Sequence, residues 1–137
     1  MNTEQLLFES ISDAGEQLGG ATRDFMESRF GADLGDIRIH RSAASDSVNK
    51  ASESLAYAVD NHIGFKTGFN ESCGELYLYV LAHELVHVLQ KRRAKHTNKQ
   101  TLGSTWVLEE EADRIACEVL CGTPSSTAAT HSRWKIS

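Results

Sequence analysis

The chain has 137 residues, 40% of them hydrophobic and 24% charged, with a net charge of −5. That is enough chain for one domain with its own core, and the composition is too ordinary for a disordered or membrane-embedded protein. The acidic balance argues against nucleic acid as a main partner, although Lys91-Arg92-Arg93 is a local basic cluster, and three cysteines (Cys73, Cys117 and Cys121) make no disulfide framework.

Met1 to Phe8 lacks a basic stretch followed by a long apolar core, so it does not read as a secretion signal. No apolar run approaches the length of a membrane span. The expectation is a soluble chain, cytoplasmic as synthesised, with any export using another route. Residues 3–14 read as a short amphipathic helix with Leu6, Leu7 and Ile11 inward, broken by Gly15, Gly19 and Gly20. Ala21 to Arg29 reads as a second short helix. Ile37-Arg38-Ile39-His40 alternates apolar and polar, the signal of a half-buried strand. Ser42 to about Leu55 reads as a polar helix. Ala56 to Val59 and His62 to Phe65 read as a hairpin about Asp60-Asn61.

The next helix carries the strongest signal. Ser72 and Glu75 fit a capping box, and the helix runs to about Arg93. From Leu76 to Leu89 it is apolar on nearly every side apart from Tyr77, Tyr79 and the His/Glu positions, which marks a central, buried helix. A polar loop follows over Ala94 to Gly103, and a last helix spans about Thr105 to Cys121 before Gly122 and Pro124 stop it. Residues 1–121 thus form the domain. Residues 122–137, rich in Ser, Thr and Ala and including Trp134, are expected to be a flexible tail. The fold class is α+β: a short mixed or antiparallel sheet packed on two long helices.

His83-Glu84-Leu85-Val86-His87 is an HExxH motif within the central helix. Residues four apart stand one turn apart on the same face, so two imidazoles can point at one ion. Glu84 is rotated by about 100° and flanks the ion, where a base must sit to take a proton from water. Two satisfied core histidines are the plain alternative, but burying two His and a Glu among Leu and Val without a ligand is costly. A hydrolytic zinc site needs a third protein ligand. The last helix offers Glu109, Glu110 and Glu111. Its apolar stripe is Leu108, Ala112, Ile115, Ala116 and Val119, so Glu110 points away while Glu109 and Glu111 flank the stripe. Asp113 lies one turn beyond Glu109 and can accept the free ring N–H of a liganding histidine. This favours Glu109 as the ligand, with Glu111 in reserve.

HExxH followed on a later helix by Glu-x-x-x-Asp resembles the gluzincin peptidases, the thermolysin-like group, and their small one-domain members, the minigluzincins. A closer resemblance covers about residues 18–121. Its blocks are Met26 to Asp33, Asp36 to His40, Ala56 to Phe65 and Leu81 to Gln90. These are similar to the bacterial eCIS-core family, metallopeptidase-type domains associated with extracellular contractile injection systems. The resemblance implies a zincin-like fold, Zn²⁺ at His83, His87 and Glu109, and Glu84 as the catalytic base. It also implies a strand pair around Tyr57 to Phe65 beside the cleft.

The activity implied is that of a zinc metalloendopeptidase acting on a peptide or protein substrate. The role implied is that of a toxin, effector or cargo domain, with injection-system components as partners. Tyr57, His62, Tyr77 and Tyr79 are candidates for steadying the oxyanion, each with a structural role as its alternative. His40 reads as structural. The rival function is a metal-stabilised binding or loading module that cleaves nothing.

Overall fold

The computed structural model describes residues 3–96 and 105–121. The elements run α1 (Thr3–Ser10), β1 (Glu16–Gln17), α2 (Gly20–Phe30), β2 (Arg38–His40), α3 (Ala43–Ser52), β3 (Ala56–Val59), β4 (His62–Phe65), a 3₁₀ turn (Glu71–Cys73), α4 (Glu75–His96) and α5 (Thr105–Cys121). The fold is α+β, as expected. The expected tail, residues 122–137, and residues 97–103 of the expected loop lie outside the described residues, while Ala94 to His96, also expected in that loop, continue α4.

The sheet has the order β1-β2-β4-β3. It is mixed: β2 runs parallel to β4, and both edge strands run antiparallel to their neighbours. The hairpin forms in the predicted register, Ala56 opposite Phe65 and Val59 opposite His62. Its turn uses Asp60 at φ 52°, a left-handed conformation that Asp tolerates better than most residues. β1 was not legible. Two exposed residues between Gly15 and Leu18 carry no alternation, and only the pairing of Glu16 and Gln17 with Ile39 and Arg38 makes them a strand.

Side chains alternate across a strand, so the two faces of the sheet separate cleanly. Ile39, Ala56, Ile63 and Phe65 face one way and join Met26, Phe30, Leu81, Leu85, Ile115 and Val119 in one core. Helices α2, α4 and α5 supply that layer, and α4 packs along β3. The other face carries Arg38, His40, Tyr57, His62 and Gly64. Near it, α3 hydrogen-bonds to β4 through Asn49 to the Gly64 carbonyl (3.3 Å) and Ser45 to the Phe65 carbonyl (3.4 Å). α1 packs on α3, so it lies away from α4.

Two expectations at the start of α4 need correction. Ser72 is not its N-cap. Asn70 caps the short 3₁₀ turn by accepting from the Ser72 N–H, and Gly74, at φ 64° and ψ −132°, breaks the chain before the helix begins at Glu75. The polar reading of Tyr77 also fails. Tyr77 is 1% exposed, while Leu76 is 54% exposed. The aromatic ring packs on Phe65 and Phe69, and its hydroxyl accepts from Arg41 Nη2 at 3.0 Å. A tyrosine whose hydroxyl has a donor can be buried as readily as phenylalanine.

Candidate metal centre

His83 and His87 stand in the middle of α4, on the side that meets α5. Their ring centroids are 4.8 Å apart and nearly edge-on. The His83 and His87 Nε2 atoms are 3.2 Å apart. Glu109, in the first turn and a half of α5, places one carboxylate oxygen 3.2 Å from His83 Nε2 and the other 2.8 Å from His87 Nε2. Three ligand atoms, one from each residue, all lie within 4.8 Å of one another.

What these atoms require follows from the opposite side of each ring. His83 Nδ1 lies 2.9 Å from Asp113 Oδ1. An ionised carboxylate only accepts, so the His83 proton sits on Nδ1. Asp113 is held in turn by the Tyr79 hydroxyl, which donates to the same oxygen at 3.2 Å. His87 Nδ1 lies 2.8 Å from Gln90 Oε1. The Gln90 amide cannot be turned round, because its nitrogen donates to the Leu108 carbonyl at 3.0 Å and to Glu111 Oε1 at 2.9 Å. So the His87 proton also sits on Nδ1. With both rings neutral, as a metal ligand must be, the two Nε2 atoms are bare lone pairs, aimed at each other and at a carboxylate. In that state three acceptors face one point, an arrangement that a cation would satisfy. Two imidazoles and a carboxylate are a donor set suited to zinc, and three protein ligands are the number that a hydrolytic zinc site uses.

The structure separates the two candidate third ligands. Glu109 joins the histidines; its side chain is 52% exposed, so the centre opens to solvent. Glu111 turns to Gln90 and to Arg93 Nη2, 3.1 Å away, on the far side of the α4–α5 contact. Asp113 takes the orienting place expected of it. Gln90 was missed. One turn below His87, it is 5% exposed and ties α5 to the histidine, a role no local pattern in the sequence marks. Its three bonds leave no slack at His87. Replacing Gln90 with leucine should weaken zinc binding about 10- to 100-fold, the usual cost of losing a partner of a liganding histidine. Competition titration against a chromogenic chelator measures it.

Glu84 lies beside the triad and is 8% exposed. Burial raises its carboxyl pKa to about 7; the nearby Glu109 carboxylate adds to the rise and His87 opposes it. Of the four residues weighed for the oxyanion, three stand away from the triad and the fourth, Tyr79, is beside it with its hydroxyl committed to Asp113. Tyr77 is in the core, Tyr79 bonds Asp113, and Tyr57 and His62 stand on the sheet face turned away from α4.

Residues 17–95 match the family model of the eCIS core domain. The chain belongs to this family. Membership suggests an association with a contractile injection system and makes that system's components the natural partners. The eCIS core match takes in α4 with His83, Glu84, His87 and Gln90, and ends before α5, so Glu109 and Asp113 come from beyond it. Comparison with curated proteins and with solved structures finds no match. Among the described residues, no helix is long and apolar enough to cross a membrane.

Proposed function

We propose that this eCIS core domain is a zinc-dependent peptidase of the gluzincin type, acting as an effector or cargo of a contractile injection system. The observation that supports it is the convergence of His83 Nε2, His87 Nε2 and the Glu109 carboxylate, with the outer nitrogen of each imidazole already bonded. A zincin-like arrangement agrees with it: the HExxH helix lies along a sheet whose outer strand, β3, is antiparallel and pairs on one side only.

Zinc held by His83, His87 and Glu109 would supply Lewis acidity toward a scissile carbonyl and acidify a water. The chain's own residues do the rest. Asp113 and Gln90 fix the histidine tautomers and keep Nε2 free. Glu84, buried and adjacent, takes the proton from the attacking water and passes it to the leaving amine. The open edge of β3 offers backbone donors and acceptors to an extended peptide, which would pair there by strand addition.

The test is cleavage of a proteome-derived peptide library by the purified chain. Cleavage that a zinc chelator stops and added zinc restores is the expected result. A zinc-loaded protein that cuts nothing in such a library, yet binds injection-system components, would make the domain a loading module instead.

A further inference from the structure

The sheet face turned away from α4 carries a second chain of titratable groups that the metal centre does not use. His40, on β2, is 2% exposed. Its Nδ1 lies 3.0 Å from Asp13 Oδ1, in the turn after α1, and its Nε2 lies 2.8 Å from His62 Nδ1, at the start of β4. The turn is built to come this close. Asp13 also accepts from the Gly15 N–H at 2.8 Å. Gly15 has φ 65°, and a Cβ there would fall 2.9 Å from both His40 Cε1 and the Ile39 carbonyl oxygen. Only glycine fits. Tyr57 extends the polar patch. Its ring lies over Gly64, where a Cβ would be 2.2 Å away, and its hydroxyl is buried near Ser10 without a well-formed hydrogen bond.

We propose that Asp13, His40 and His62 form a pH-operated clasp, which holds α1 and the turn after it on this face of the sheet at neutral pH and releases them in acid. Proton counting gives the mechanism. With Asp13 ionised and both histidines neutral, the His40 Nδ1–H donates to Asp13 and the His62 Nδ1–H donates to His40 Nε2. Every bond has one proton. A first added proton goes to the outer His62 Nε2 and breaks nothing. A second finds no place on the pair except between the rings, where it sets two N–H groups face to face across 2.8 Å. That bond cannot survive, and the alternative, protonating Asp13, turns the other from a charge-assisted bond into a weaker neutral one.

The groups facing the pair are Asp13 from the turn after α1, Arg38 from β2 and Asp60 from the β3–β4 turn, with the Tyr57 hydroxyl from β3. Around His62, burial and His40 lower the pKa, Arg38 adds to that, and Asp60 and Asp13 oppose it. The sign is therefore fixed. The unfolded chain binds the His62 proton more readily, so this contribution to stability is full above about pH 6.5 and declines as the pH falls below it.

Hydrogen exchange of the full chain, read by mass spectrometry as protection factors from about pH 7.5 to about pH 4.5, tests the clasp. Protection over residues 5–15 should fall at least about tenfold in acid while that of α4 holds. In His62→Asn the amide donates to His40 Nε2 at neutral pH and can turn its oxygen toward that nitrogen once it is protonated, so the contact survives and the segment should stay protected in acid. Asp13→Asn, at a side chain 60% exposed and so no threat to the core, should lower protection of the segment already at neutral pH. Protection of residues 5–15 that ignores pH, that falls only in step with α4, or that falls equally in His62→Asn would overturn the proposal.

Discussion

Replacing Glu84 with glutamine should leave the zinc content of the protein unchanged and slow peptide hydrolysis by about 10²- to 10⁴-fold, the usual contribution of a positioned base. The amide keeps the shape of the side chain and touches none of the three ligand atoms, so only proton transfer is lost. The same variant has a second readout. Burial holds the Glu84 carboxyl up at about 7. A carboxyl raised in the folded state binds its proton more tightly there than in the unfolded chain. Its ionisation therefore opposes folding as the pH rises from about 4.3 toward 7. The metal-free Glu84→Gln protein should melt at or above the wild-type temperature at pH 7. A variant that is inactive because it is misfolded would melt lower and bind less zinc. Turnover at the wild-type rate in a zinc-loaded, folded variant would remove Glu84 from the chemistry.

Replacing Phe65 with alanine should cost about 3–5 kcal/mol, a large part of the roughly 5–15 kcal/mol that holds a domain of this kind together. Phe65 is fully buried where β4 meets α4. Its ring lies 5.1 Å from that of Tyr77 and 6.0 Å from that of Phe69, with the Arg41 guanidinium 5.1 Å from its face. Removing the ring opens a cavity under the N-terminal half of α4, and it leaves Arg41 without one of the two rings it covers. Surrounding strands and helix cannot collapse into the gap without breaking the sheet register. Urea unfolding followed by circular dichroism measures the loss as a lower midpoint at unchanged slope. A shift worth less than about 1 kcal/mol would mean that this junction is not where the fold is held.

The sequence disclosed those features that rest on local periodicity. Four-residue spacing placed His83 and His87 on one side of α4, and Glu109 and Asp113 on one side of α5. Alternation and a turn at Asp60-Asn61 gave the hairpin, Gly122 and Pro124 gave α5 its end, and the stripe from Leu108 to Val119 gave its buried face. What stayed hidden depends on contacts between distant residues. Gln90 is ordinary until α5 supplies the Leu108 carbonyl and Glu111 to fix its amide. Tyr77 looks polar until Arg41, 36 residues away, donates to its hydroxyl. β1 has no pattern of its own and exists through β2. The choice between Glu109 and Glu111 turned on Gln90 and Arg93, which draw Glu111 away. Asp13, His40 and His62 are separated by 27 and 22 residues, and only the parallel pairing of β2 with β4 sets the two rings side by side.

The same geometry splits the molecule into two chemically separate faces. One holds the metal-type triad between α4 and α5, open at Glu109. The other holds the histidine pair under the N-terminal segment. Because α1 packs on α3 and not over α4, it does not cover the triad.

The most direct measurement is zinc content by elemental analysis of the wild-type chain, His83→Ala and Glu109→Ala, purified without a metal-binding tag and reconstituted with zinc. One zinc per wild-type chain, lost or sharply weakened in both variants, is the predicted result. A wild-type chain that takes up no zinc under those conditions, or one whose zinc survives both substitutions, would contradict the assignment of His83, His87 and Glu109 as its ligands.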